Sequence, residues 1–294
     1  MKNISILADS TCDLSPELVE KYGITILPLH IHLGEREYLD GRNITPEQIY
    51  RWSDENKLTP KTSTIALEDT IKTMKEALKE AKEVIAFSIS SDMSSSYNVL
   101  HMAAAELESE DKVFVIDSGS LSTGIGLLIL AAADMAAEGK TGKEIAKKIN
   151  SLRPSVRASF VVDTLVYLHR GGRCSGLAAM AGSTFKLHPC ISVVDGRMKP
   201  GKKYRGNMEK VIREYVADLE PEMQNACKNR VFITHSGCDE GIVQATRLHL
   251  EELNLFKEIL ITRAGGVVSS HCGPGTLGVL FIAEKCEDED KEKV

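Results

Sequence analysis

Apolar and polar positions along this chain fall into short blocks whose period switches repeatedly between that of a strand and that of a helix. Ile4-Ser-Ile-Leu-Ala8 reads as a buried strand. Ser15-Pro16-Glu17 then supplies an N-cap, a proline at the first helical position and an acid in the first turn. The pattern predicts a second strand from Ile24 to Leu33, a helix opening at Thr45-Pro46-Glu47, and a helix whose apolar stripe is Ile71, Met74 and Leu78. Val84 to Ile89 predicts another strand, and the helix after it places Tyr97, Leu100, Ala104 and Leu107 on one face. A strand from Val113 to Ile116 ends at Asp117-Ser118, and helices follow over 122–138 and 142–151.

Arg153-Pro154 breaks this run, and a second series begins. It comprises strands near 156–162, 190–194, 230–234 and 258–262, helices near 207–219 and 239–253, and a last strand over Val279 to Ala283. Alternating strands and helices predict an α/β protein. The break divides it into domains 1–153 and 154–284, followed by a solvated acidic tail over 285–294. No internal repeat or low-complexity linker interrupts the pattern.

At 294 residues and 43% hydrophobic content the chain buries a sizeable core, and its length suits two domains. A net charge of -6 argues against a nucleic-acid binder acting through its overall field. Seven cysteines, with no CxxC pair, read as small core residues of a reduced, cytoplasmic, bacterial-style protein rather than a zinc or redox site. The apolar stretch after Met1-Lys2 reaches only Ala8, too short for a signal peptide. Gly124 to Ala137, interrupted by Asp134, reads as a buried helix and not a membrane span.

Candidate chemistry lies in hydroxyl-rich turns: Asp9-Ser10-Thr11, Lys61-Thr62-Ser63-Thr64, and residues 88–96, where five of the last seven are serine. Turns at helix starts and strand ends present N–H and O–H groups to an anion, although Ser and Thr there are also ordinary caps. Ligands of open α/β sheets bind beyond the carboxyl ends of the strands, so the turns at 9–11, 88–96 and 117–120 are expected to gather at one edge. Gly273-Pro-Gly-Thr-Leu-Gly278 satisfies GxGxxG but leads into a strand, so it is not a dinucleotide fingerprint. Its glycines bend the backbone beside His271, which is either structural or an N–H donor into a cleft. Arg170 and Arg173 flank two glycines, and Arg197 to Arg205 holds five basic residues in nine, either a solvated hairpin or a surface for an acidic partner.

Several motifs in register carry a resemblance. Asp9-Ser-Thr-Cys-Asp13, Thr62-Ser63, Ser90-Ser-Asp-Met-Ser94-Ser-Ser-Tyr97, Asp117-Ser118, Tyr167-Leu-His-Arg-Gly-Gly-Arg173 and His271-Cys-Gly-Pro-Gly275 follow one another as in the DegV family. That family includes the fatty-acid-binding subunits of bacterial fatty acid kinase, and the resemblance spans about residues 3–284. It implies a two-domain DegV-like fold, with a three-layer parallel-sheet first domain and a second α/β domain with a mixed sheet. It also implies an apolar tunnel for a long-chain fatty acid such as palmitate or oleate. The carboxylate-binding residues it implies are Thr62, Ser94, Ser63, His271 and Arg173. A separate ATP-dependent kinase subunit then makes the acyl phosphate for phospholipid metabolism. Arg170, Lys202 and Arg205 are candidates for docking that kinase. No catalytic residue, cofactor, metal, nucleic acid or integral membrane segment is implied, and a transient membrane contact remains open. The chain departs from the family where Thr64-Ile65-Ala66 replaces Gln-Pro-Ser, Ser95-Ser96 replaces Gly-Thr, and His188-Pro189 replaces Lys-Pro.

Physical chemistry accommodates this division of labour. Burying a sixteen-carbon chain contributes about 12 kcal/mol gross at ~0.8 kcal/mol per CH₂, before ordering and association costs. A desolvated carboxylate must be hydrogen-bonded, and hydroxyls do this without locking it into an ion pair. No GxxxxGK[ST] loop is present, so phosphoryl transfer falls to a partner. Two alternatives stand beside this reading. One is a module for a small anionic metabolite. The other is an acyl hydrolase with Ser94 as nucleophile and His271 as base, although no GxSxG elbow surrounds any serine.

Overall fold

The computed structural model describes residues 2–174 and 187–283. The first series builds a four-stranded, wholly parallel sheet from β1 (Lys2–Asp9), β2 (Ile24–Leu27), β6 (Ala81–Ser88) and β7 (Val113–Asp117), in the order β2-β1-β6-β7. Helices α3 (Leu67–Glu80) and α4 (Ser96–Glu106) cover one face, and α5 (Thr123–Ala137) and α6 (Gly142–Leu152) the other. Strands covered on both faces need apolar residues at consecutive positions, and Val84, Ile85, Ala86 and Phe87 are all fully buried. Two expected helix starts carry their caps. Ser15 accepts from Leu18 N–H at the head of α1 (Pro16–Tyr22), and Thr45 and Gln48 form a capping box on α2 (Pro46–Asn56).

The expected strand from Ile24 to Leu33 is two strands in different sheets. β2 stops before Pro28, which has no N–H for a ladder, and β3 (His30–Leu33) pairs with β4 (Arg36–Leu39) and β5 (Lys61–Ser63) in a small antiparallel sheet ordered β4-β3-β5.

The second series forms a mixed six-stranded sheet from β8 (Val156–Val161), β9 (Leu187–Val194), β10 (Arg197–Arg205), β11 (Arg230–His235), β12 (Glu258–Arg263) and β13 (Leu277–Ile282). Its order is β10-β9-β8-β13-β11-β12, and only β11 and β12 run parallel. Helices α8 (Met208–Met223) and α9 (Glu240–Leu253) pack on one face, and α8 passes through Pro221 beyond its expected end at 219. The other face lies on α5, which touches β1 and β6 as well as β8, β11 and β13. A helix sandwiched by two sheets is apolar all round, and this explains the long run from Gly124.

Two short helices complete the fold. α7 (Val166–Gly171) packs on α10 (Gly266–Cys272), and α10 also reaches α2, β3 and β5 of the first series. Cys12, Cys174, Cys190, Cys238 and Cys272 are not disulfide-bonded. Cys227 is disulfide-bonded, which corrects the expectation that all seven cysteines are reduced, since spacing along a sequence does not report pairing. The acidic tail lies outside the described residues. No helix among the described residues is long and apolar enough to cross a membrane.

Candidate functional site

β5 and α10 meet across 209 positions of sequence, and Thr62 Oγ1 lies 3.0 Å from His271 Nε2. Beside them the turn leaving β6 runs into α4. Within it Ser94 Oγ lies 3.0 Å from Ser96 Oγ and accepts from Ser96 N–H at 3.3 Å. Ser96 Oγ in turn lies 2.9 Å from Thr64 Oγ1. Ser95, the N-cap of α4, makes no side-chain cap bond, so the positive end of that helix approaches the hydroxyls without its usual acceptor. Thr62, Thr64, Ser94, Ser95 and His271 line one cavity of about 490 Å³, whose remaining wall includes Leu29, Ile89, Met93, Leu121, Val267 and Val268, while Ser96 is buried and does not line it.

Thr62, Ser63, Ser94, Arg173 and His271 all line this cavity. Their roles differ by geometry. Successive strand residues point to opposite faces, and Ser63 Oγ lies 3.0 Å from His32 Nε2 on the face away from Thr62. Arg173 Nη1 donates to Gly171 O at 2.7 Å. Burial, reinforced by the Arg173 charge, pushes His271 down to about 4, so its ring is neutral near pH 7. Its Nδ1 has no partner among the described residues, and Gly171 closes over it: a Cβ there would lie 2.4 Å from that nitrogen. Gly273 has φ +76°, and any Cβ on it would lie 2.6 Å from Tyr167, so this glycine lets the chain turn from α10 towards β13.

Three strand-end turns were expected to gather. They do share one edge, since Asp117 accepts from Ser91 N–H at 3.1 Å and Ser91 Oγ at 2.7 Å. Only the 88–96 turn presents hydroxyls to the cavity. Ser10, Thr11 and Ser118 bond within the protein, and none of the 9–11 or 117–120 residues lines this cavity.

The basic stretch divides in two. β9 and β10 join through Asp195-Gly196, both at positive φ as a type I′ hairpin requires, and Ser90 Oγ donates to Gly196 O at 2.7 Å. Arg197 holds Asp92 through Nε and Nη2 at 2.8 and 2.6 Å, and Met198 enters the cavity wall. The hairpin tip is therefore part of the site's frame. Farther along, Lys202 is paired with Asp218, while Arg205 and, on α7, Arg170 are exposed. From sequence, Thr64 and Ser96 belong to the hydroxyl-rich turns without a role of their own, Met198 belongs only to the basic stretch, and Asn98 gives no signal. A hydroxyl pattern running through 62–64 and 94–96 is the signal that joins Thr64 to Ser96.

Among the described residues no group of His, Cys, Asp and Glu is arranged to hold a metal ion. Ser94 pairs with Ser96 and His271 with Thr62, so the nucleophile and base of a hydrolase are not paired with each other.

A parallel sheet and a mixed sheet clasping one apolar helix, with a hydroxyl-lined cavity beside it, define a two-sheet α/β class. The chain belongs to the DegV family: the model described as "Uncharacterised protein, DegV family COG1307" matches residues 3–284. A DegV domain-containing protein of Clostridium perfringens is 32% identical over 97% of this chain and 100% of its own length. Among solved structures, a fatty-acid-binding DegV family protein from Thermus thermophilus is 31% identical with a TM-score of 0.88, covering 95% of this chain and 99% of its own. A DegV lipid binding protein from Thermotoga maritima is 30% identical with a TM-score of 0.83, covering 97% and 100%. A stearic-acid-binding protein from Eubacterium ventriosum is 29% identical with a TM-score of 0.81, covering 96% and 98%.

Proposed function

We propose that this protein binds a long-chain fatty acid and presents its carboxylate to a separate, ATP-dependent fatty acid kinase in the cytoplasm. The observation that carries the reading is the convergence of Thr62, Ser94, His271 and Arg173 on one cavity backed by aliphatic side chains. Similarity to the fatty-acid-binding relatives supports the ligand class. Thr62 and Ser94 donate to the carboxylate, the start of α4, whose first N–H meets Ser94 Oγ, favours its charge, and Arg173 lines the same cavity. His271 holds Thr62 through Nε2 and stays neutral, so it adds polarity without adding charge.

The chain itself carries out no phosphoryl transfer in this account, because its sequence holds no nucleotide-phosphate loop. Exposed Arg170 and Arg205 are the docking cations, and Lys202, already paired with Asp218, contributes less. The test is reconstitution. The protein with ATP, Mg²⁺ and oleate is expected to form no acyl phosphate until a bacterial fatty acid kinase is added. Turnover by the chain alone, free of contaminating kinase, contradicts this division.

A further inference from the structure

The Asp9-Ser-Thr-Cys-Asp13 motif follows β1, yet none of its residues lines the cavity. Its two acids and Asp40 are 0%, 5% and 3% exposed. A carboxyl buried this deeply is costly unless each oxygen finds donors, and here the donors come from the cavity wall. Asp9 Oδ2 accepts from Ile89 N–H at 2.8 Å. Asp13 Oδ1 accepts from Gly265 N–H at 2.8 Å, and its Oδ2 accepts from Ser122 Oγ at 2.5 Å. Asp40 Oδ1 accepts from Gly266 N–H at 2.7 Å, and its Oδ2 accepts from Ser10 Oγ at 2.8 Å. Ser10 Oγ itself accepts from Leu29 N–H at 3.1 Å. Leu29 and Ile89 are wall residues, and Gly265-Gly266 opens the helix that carries Val267, Val268 and His271.

The two glycines fit the same arrangement. A Cβ on Gly265 would lie 3.1 Å from Asp13 Oδ1, and one on Gly266 would lie 2.9 Å from Asp40 Oδ1 and 2.7 Å from Ile31. Bare backbone is what lets both acids reach the first N–H groups of α10.

We propose that Asp9, Asp13 and Asp40 are positioning residues for the carboxylate site: together they fix the start of α10, and with it His271, relative to the turn that carries Ser94. The role rests on reading the cavity as a carboxylate site. The titratable groups facing the set are the three acids themselves, Cys12 and Cys272, and no Lys, Arg or His among the described residues pairs with it. Burial raises Asp9 to about 6 and Asp13 to about 8, and raises Asp40 as well. The proton that Asp13 retains near neutral pH limits the negative charge behind a site that receives an anion. Ionising Asp13 at higher pH makes the acids repel one another and the ligand's head group.

The test compares wild type, Asp40→Ala, Asp40→Asn and Asp13→Asn in oleate affinity and in the NMR resonances of the His271 ring, from about pH 6 to about pH 9. Asp40→Ala is expected to weaken oleate about tenfold and to move the His271 resonances, as loss of the acceptor of a buried hydrogen bond would. Asp40→Asn keeps an acceptor for Gly266 N–H and is expected to restore both near pH 7. Wild-type affinity should fall above pH 8, and Asp13→Asn should flatten that fall, since asparagine also tolerates the left-handed backbone at φ 50°. Wild-type resonances and affinity in Asp40→Ala, or a wild-type pH curve in Asp13→Asn, would overturn the proposal. If Asp40→Ala does not fold, the two asparagine variants carry the test. A wild-type protein that binds no oleate contradicts the carboxylate reading instead, while the His271 resonances of the ligand-free variants still judge positioning.

Discussion

Thr62 and Ser94 line the same cavity and are the two hydroxyls proposed to hold the carboxylate; Thr62 bonds His271 and Ser94 bonds Ser96. Thr62→Ala and Ser94→Ala are each expected to weaken fatty-acid binding by about 1.5–3 kcal/mol, with most of the acyl-chain contribution retained. Calorimetric titration with oleate checks this, and unchanged affinity in both variants would place the head group elsewhere. Thr62→Ala has a second consequence, because it also removes a partner of His271 Nε2. His271 gives the protein an acid limit. Its folded value of about 4 lies below the usual 6.5, so the folded state binds fewer protons than the unfolded state between those values. Stability from this group is full above pH 6.5 and is lost as pH falls through about 4, a difference of ~3 kcal/mol. Urea unfolding at a series of pH values is expected to show a shallower acid loss in His271→Gln than in wild type. Parallel curves would mean that the ring is solvated.

Elements that carry the site are mostly short, and this decides what could be read in advance. β1, β6 and β8 announce themselves because both faces are buried along much of their length and they carry apolar runs such as Ile6 to Ala8, Val84 to Phe87 and Phe160-Val161. β5, α7 and α10 have three, six and seven residues, too few for a period to emerge. Thr62, Arg173 and His271 were therefore recognised through the order of family motifs, and not from the elements that hold them. The turn at 9–13 was misplaced for a different reason. Its hydroxyls are spent on the carboxylates of Asp9 and Asp40 and its acids accept from main-chain N–H groups of distant segments, which no local pattern reports. The contact of α7 with α10 offers an element-scale prediction. Gly171→Ala puts a methyl 2.4 Å from His271 Nδ1, so α7 must withdraw or the ring must turn. Overpacking of this kind costs about 1–3 kcal/mol, and oleate affinity is expected to fall together with stability. Loss of stability with unchanged affinity would separate the ring from the ligand.

At the scale of the whole molecule, α5 is the shared core and the cavity lies where the ends of the first sheet's strands face α10 from the second series. Arg230 ties the two series together, bonding Asp134 of α5, Glu258 of β12 and Tyr22 of α1. The sheets and their layering follow from the alternation of strand and helix blocks. The crossing of α10 back onto α2, β3 and β5 does not, because it depends on contacts more than 200 residues apart in sequence. An aliphatic wall ending in hydroxyls suits a ligand with a long apolar body and one anionic end. Solvent extraction of protein purified from a bacterial host, followed by mass spectrometry, tests that claim most directly. The account predicts a bound fatty acid of about sixteen to eighteen carbons, held by burial at ~0.8 kcal/mol per CH₂. Protein that yields no acyl chain and takes up neither palmitate nor oleate when they are added would contradict it.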